Sequence, residues 1–284
     1  MILTMTNDLS TEQIEDIRAL HHHCAAHDGT TAPLSLDARM NHDPNLPAYY
    51  LGTEEGELVA FLSIFAPDIA EAEIIACVAP QYRRRGYFRA MLQAAQDQLL
   101  QRGVHRLLLQ CDAASASGQA AMAALGTRAS FSEYSMVRPL ADLPPVDVRL
   151  TIAEGQMQQL EGISEMAAVI FDGHPELYHG MLAKAMATPG MGVYTAAFAG
   201  QMVGLCRVIW EEDPPAICTL GICPGQRGKK LGEALLYQVL SQIRGRGYDT
   251  AALEVDSGNV PALALYRKAG FHTRSRIDYY EMNI

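Results

Sequence analysis

The chain nearly repeats itself at a fixed offset of 144 residues. Val78-x-Pro80-x-x-Arg83-Arg84-Arg85-Gly86-Tyr87-Phe88 lies over Ile222-x-Pro224-x-x-Arg227-Gly228-Lys229-Lys230-Leu231-Gly232. The same offset, without a gap, sets Tyr50 over Tyr194, Gly56 over Gly200, Val59 over Val203, Asp112 over Asp256 and Gly126 over Gly270. A repeat this long exceeds a solenoid unit and suits a duplicated domain. The 284 residues allow each half a core of its own. Residue types common to both halves are then architectural, and those that differ mark chemistry kept by one half.

Each half reads as the same series. A helix with a cap at Ser10 or Thr11 carries Ile14, Ile17 and Leu20 on one face. A hairpin follows, with strands over Ala48–Thr53 and Leu58–Phe65. Then come a strand over Glu73–Val78, a helix from Arg84 to about Arg102, a strand over Arg106–Cys111, a helix over Ser117–Leu125 and a last strand with Tyr134, Met136 and Val137. The second half repeats the order up to a final strand over Ile277–Met282. Three prolines between Pro139 and Pro145 break the pattern and suit an extended linker. The expectation is an α+β fold of two tandem domains, each a mixed, mostly antiparallel sheet flanked by helices. They span residues 1–140 and 148–284, joined by 141–147.

A net charge of −10 speaks against nonspecific nucleic-acid binding and against an anionic membrane surface. Six scattered cysteines without a C-x-x-C pair read as buried, reduced thiols, which suits a cytoplasmic protein, monomer or homodimer. The N-terminus lacks the basic flank and apolar run of a signal peptide, and no segment suits a bilayer span. His21, His22, His23 and His27 form a histidine-rich stretch in which only His23 and His27 share a helical face, so no metal is expected.

The chemistry concentrates where a strand runs into the basic, glycine-containing turn Arg227–Gly232 and a long helix begins. Unpaired N–H groups and the positive end of the dipole make such a turn a diphosphate site. Downstream stands Asn259-Val260-Pro261-Ala262-Leu263-Ala264-Leu265-Tyr266-Arg267-Lys268-Ala269-Gly270-Phe271. Together the two segments resemble the GNAT acetyltransferase superfamily. Arg227 to Gly232 matches its Arg/Gln-x-x-Gly-x-Gly/Ala signature with Lys230 in place of the first glycine, and the second segment matches Asn-x-x-Ala-x-x-Leu-Tyr-x-Lys-x-Gly-Phe.

The resemblance implies acetyl-CoA as acyl donor, with its pyrophosphate on Arg227, Gly228, Lys229, Lys230, Leu231 and Gly232. It places the pantetheine beside Leu220, Gly221 and Ile222, with Asn259 nearby and Tyr266 as general acid. In the first half Val78, Arg83, Arg84, Arg85 and Gly86 keep the loop, but Phe88 replaces Gly232, Ser115 replaces Asn259 and Met122 replaces Tyr266. The expectation is an N-acetyltransferase that moves an acetyl group to a small-molecule or peptide amine by direct attack, with the C-terminal half catalytic. The alternatives are a non-catalytic acyl-CoA sensor or scaffold, or activity in the N-terminal half. No acid lies among Ala216, Ile217 and Cys218; Glu211, Glu212, Asp213 and Glu73 are the candidate bases, and Cys218 a remote candidate nucleophile.

Overall fold

The computed structural model describes every residue, Met1–Ile284. The first half runs β1 (Ile2–Thr6), α1 (Thr11–Asp28), β2 (Tyr49–Glu54), β3 (Glu57–Phe65), β4 (Ala72–Val78), α2 (Tyr87–Leu100), β5 (Arg106–Asp112), α3 (Ala116–Ala124) and β6 (Arg128–Pro139). The second runs β7 (Leu150–Glu154), α4 (Leu160–Phe171), α5 (Pro175–Ala187), β8 (Met191–Phe198), β9 (Gln201–Ile209), β10 (Ala216–Ile222), α6 (Leu231–Gly245), β11 (Thr250–Asp256), α7 (Val260–Lys268) and β12 (His272–Asn283). The expected α+β class holds. Two short edge strands, β1 and β7, went unread because each has too few residues to show a period; they pair antiparallel with β2 and β8.

The chain divides into two compact units, Met1–Tyr134 with Arg274–Ile284, and Ser135–Thr273. The division falls before the proline-rich stretch, and the C-terminal strand belongs to unit 1. Ile277 to Asn283 pair antiparallel with Asp112 to Arg106 of β5. Phe131 stacks on Tyr279 at 4.3 Å, and the Tyr279 hydroxyl donates to Glu133. A strand that leaves one repeat to complete the other preserves every sequence period, so no pattern along the chain reveals it.

In unit 1 the strand order is β1-β2-β3-β4-β5-β12, with the first half of β6 beside β12. One face buries Tyr50, Leu62, Ile74, Leu107 and Leu109 against Met91, Leu92, Ala95 and Leu99 of α2 and Met122 of α3. The opposite face buries Tyr49, Leu51 and Phe61 against Ile17, Leu20 and Cys24 of α1. Ser10, one of the two caps its sequence offers, closes α1 in a reciprocal box with Gln13.

Unit 2 has the order β7-β8-β9-β10-β11, with Ser135–Pro139 beside β11. Leu231, Leu235, Val239 and Ile243 form the buried stripe of α6, and Ile163, Ala167 and Ile170 that of α4.

Candidate active site

In unit 2, β10 and β11 run parallel but pair only through Ala216↔Ala252 and Ile217↔Leu253. Past Ile217 the strands separate, and β10 keeps its ladder with β9 alone. Cys218 is the extra residue of a bulge: Ile217 pairs with Val208 and Thr219 with Arg207. The separated strands leave backbone groups of β10 without partners on the β11 side. This is the cleft beside Leu220, Gly221 and Ile222. Ile170 and Phe171 of α4 occupy the space a side chain at Gly221 would need, so this glycine lets α4 pack on the strand.

At the end of β10 a 3-10 turn over Pro224–Gln226 leads into the loop. Gly228 (φ 80°) and Lys230 (φ 62°) are left-handed, and α6 starts with no side-chain cap. The N–H groups of its first turn therefore remain available to an anion. A Cβ on Gly232 would lie 3.8 Å from Leu265 Cδ2 and 3.9 Å from Ile222 Cγ1, in ordinary contact. Lys229 donates to Gln226 Oε1 at 2.7 Å. Arg227 has another task. Its Nε donates to Ile222 O at 3.2 Å and its Nη2 to Ile170 O at 3.0 Å, which fastens the loop to β10 and α4.

Tyr266 is buried on α7, edge-on to Phe271 at 5.9 Å. Burial, with Cys206 beside it, pushes its phenol up to about 12, so it stays protonated at neutral pH. Asn259 is the N-cap of α7, its Oδ1 accepting from Ala262 N at 3.2 Å. Ser115, its partner in the repeat, caps α3 in the same way, accepting from Gly118 N at 3.0 Å. The two residues thus share one structural job.

Unit 1 keeps the backbone of the loop. Arg84 (φ 64°) and Gly86 (φ 84°) are left-handed at the places of Gly228 and Lys230. Arg83 Nε donates to Val78 O at 2.9 Å, and Arg85 lies over the Tyr82 ring at 4.9 Å. The cleft differs. β4 pairs with β3 without a bulge, Phe88 packs into the α2 core, and Met122 stands buried where unit 2 has Tyr266.

Unit 1 also holds the partly buried carboxyl of Glu73, which accepts from Gln110 Nε2 at 2.6 Å. Burial, then the charge of Glu133, pushes it up to about 7. Of the other candidates, Glu211 lies over Gly190, and Cys218 is an exposed free thiol. At the place that Gln110 holds on β5, β11 carries Glu254, which is exposed. No group of three or more His, Cys, Asp or Glu side chains is placed to hold a metal ion.

An uncapped helix start, a bulged open strand edge and a protonated phenol come from one unit. Residues 14–126 and 160–271 both match the family model described as Acetyltransferase (GNAT) family. A mycothiol acetyltransferase of Thermomonospora curvata is 31% identical over 97% of this chain and 95% of its own length. One of Streptomyces coelicolor is 28% identical over 94% and 90%. Among solved structures, a GCN5-related N-acetyltransferase from Sphaerobacter thermophilus aligns over 99% of this chain and 95% of its own, with TM-score 0.78 and 21% identity. A tandem GNAT protein from the clavulanic acid biosynthesis pathway covers 99% and 98%, with TM-score 0.73 and 19% identity.

Proposed function

The chain belongs to the GNAT acetyltransferase family, and on that premise we propose that its C-terminal unit moves an acetyl group from acetyl-CoA to an amine by direct attack. The observation that carries this reading is the bulge at Cys218 on a strand that has left β11, next to an uncapped helix start. Unit 1 has the same loop but no bulge.

Acetyl-CoA supplies a thioester carbonyl that a neutral amine can attack. The first-turn N–H groups of α6, with Lys229 and Lys230, hold the diphosphate. The open edge of β10 after the bulge presents backbone N–H to the charge that builds on the carbonyl oxygen. Tyr266 gives its proton to the departing sulfur. An amine of pKa ~10.4 is mostly charged, and supplying its neutral form at pH 7 costs about 4.6 kcal/mol. Glu254 takes that proton. In unit 1 the side chain at its place reaches across to the β4 position of Glu73, and in unit 2 Ala216 leaves that position without an acid.

A second reading places activity in unit 1, and the raised carboxyl of Glu73 favours it. Against it stand Met122 in place of the phenol and the unbulged β4.

The test is release of free thiol from acetyl-CoA against a panel of amines, with mycothiol-related amines first because of the relatives' name. Amine-dependent thiol release that Tyr266→Phe suppresses supports the C-terminal assignment. Full release from Tyr266→Phe with loss in Glu73→Gln moves the activity to unit 1. No release with any amine, alongside tight CoA binding, leaves a binding protein.

A further inference from the structure

We propose that the N-terminal unit takes up no acyl-CoA because Asp28, at the end of α1, bolts its β4/β5 cleft shut. The cleft has the same origin as that of unit 2, since β4 and β5 pair only through Ala72, Glu73 and Ile74 and then separate. Arg83 follows one strand at the open end, and Ser115 and Ser117 follow the other.

Asp28 spans the gap. Its Oδ1 accepts from Arg83 Nη1 at 2.7 Å, and its Oδ2 from Arg83 Nη2 at 3.0 Å and Ser117 Oγ at 3.1 Å. Ser115 Oγ stands 3.4 Å from the same Oδ2. The next residues are sewn down as well. Thr31 N and Ala32 N donate to Asp112 Oδ2 at 3.2 and 3.1 Å, and Thr31 Oγ1 donates to Arg274 O at 2.8 Å.

The bolt is well set. Only 14% of the Asp28 side chain and 21% of the Arg83 side chain remain exposed. Burial by itself raises the carboxyl, but the hydrogen bonds and charge of Arg83, with Ser117 and the neighbouring His27, hold it below the usual carboxylate range. It is thus ionised at neutral pH, and a bidentate pair with two added hydroxyl donors is a strong closure.

Unit 2 carries the same acid and base at the repeat offset, Asp172 and Arg227, without this bolt. The cause is one residue of helix. α1 runs through Asp28 and ends on a left-handed Gly29, whereas α4 ends at Phe171 and Asp172 itself is left-handed (φ 56°). Arg227 then bonds the Ile170 carbonyl. The receiving side is missing too, since Pro261 stands where Ser117 does and has no hydroxyl.

The inference rests on the reading that the Arg227–Gly232 loop takes CoA. Isothermal titration with CoA tests it, with Asp28→Ala/Ser117→Ala made in the wild-type and Lys229→Glu/Lys230→Glu backgrounds. The expected counts per chain are one for wild type, two for the Asp28/Ser117 variant, none for the Lys229/Lys230 variant and one for the combined variant. A Lys229/Lys230 variant that keeps one site, or an Asp28/Ser117 variant that gains none in either background, overturns the bolt. A wild type that binds none while the Asp28/Ser117 variant gains one sinks the C-terminal reading and upholds the bolt. Thermal unfolding checks the fold, and Ser117→Pro, which copies unit 2, is the second variant; it leaves the Arg83 pair in place and is expected to show a weaker second site.

Discussion

Glu73 of β4 and Ala216 of β10 stand on the same rung of their two sheets. Glu73 pairs with Phe65 and Leu108, and Ala216 with Ile209 and Ala252, which are those partners moved by the repeat offset. Counting along the chain sets Glu73 against Ile217 instead, because the bulge at Cys218 uses one extra residue. Unit 2 therefore has a methyl group where unit 1 has a carboxyl, and the carboxylate of that neighbourhood moves to Glu254 on β11. Glu254→Gln is expected to lower kcat ~10²–10⁴-fold, the span of a positioned base, and to flatten the acidic limb of the pH–rate profile. CoA affinity should not change. An unaltered rate removes Glu254 from the mechanism.

The one-residue slip also separates two neighbours by face. Ile217 is 2% exposed, whereas Ala216 is only partly buried. Ile217→Glu should cost several kcal/mol, in the ~3–5 kcal/mol range of an unpaired buried charge, and Ala216→Glu much less. Denaturant unfolding of both variants decides it. Equal losses would mean that no slip exists.

Tyr266→Phe should lower turnover by ~10²–10⁴-fold with little change in CoA affinity. Because burial holds the phenol near 12, it stays protonated and cannot act as a base at neutral pH. The wild-type rate should then show no alkaline loss from this group below about pH 9, well under the usual phenol value of ~10. A group titrating at pH 7–8 that disappears in Tyr266→Phe would contradict this role.

Glu73 gives a stability prediction with a definite sign. Its folded value of about 7 exceeds the ordinary carboxyl value of 4.5, so between those limits the unfolded chain holds fewer protons than the folded one. Stability therefore falls as pH rises through that window. Glu73→Gln, which keeps the acceptor for Gln110, should be near neutral at pH 4.5 and stabilising by up to about 3 kcal/mol at pH 8. Thermal unfolding at the two pH values reads the difference. The same change at both would show that Glu73 is ionised in the fold.

The repeat made the duplicated α+β units legible, because shared glycines and apolar periods survive in both halves. The cap of α1 was legible as Ser10 or Thr11; its box with Gln13 was not. What stayed hidden arises between segments. The donation of Arg274–Ile284 to unit 1, the bulge at Cys218 and the Asp28 bolt each depend on which strand lies beside which. Phe88 reads as the loss of the loop's last glycine, yet its ring packs against the α2 core. Asn259 and Ser115 read as a difference between the halves, yet both cap a helix.

The two loops divide one backbone demand in opposite ways. Each needs two left-handed residues, and unit 1 fills them with Arg84 and Gly86 while unit 2 uses Gly228 and Lys230. A side chain there costs ~1–2 kcal/mol. Lys230→Gly should therefore stabilise unit 2 by about 1 kcal/mol, less the entropy that glycine adds to the unfolded chain. CoA affinity should fall only by the share of one exposed charge, under about tenfold. A loss of stability would mean that the Lys230 side chain makes contacts that outweigh its strain.

Gly232 separates fold from ligand most cleanly. Its absent Cβ would touch Leu265 and Ile222 at ordinary distances, 3.8 and 3.9 Å, so the folded chain has room for alanine. Near the start of α6, alanine should raise stability by up to about 1 kcal/mol through helix propensity. The same methyl group sits in the first turn whose N–H groups would receive the diphosphate, so CoA affinity should fall. Thermal unfolding and titration on the same samples read the two effects with opposite signs. If Lys229→Glu/Lys230→Glu binds CoA as wild type does, the diphosphate does not dock at α6, and the C-terminal site is not where the thioester lies.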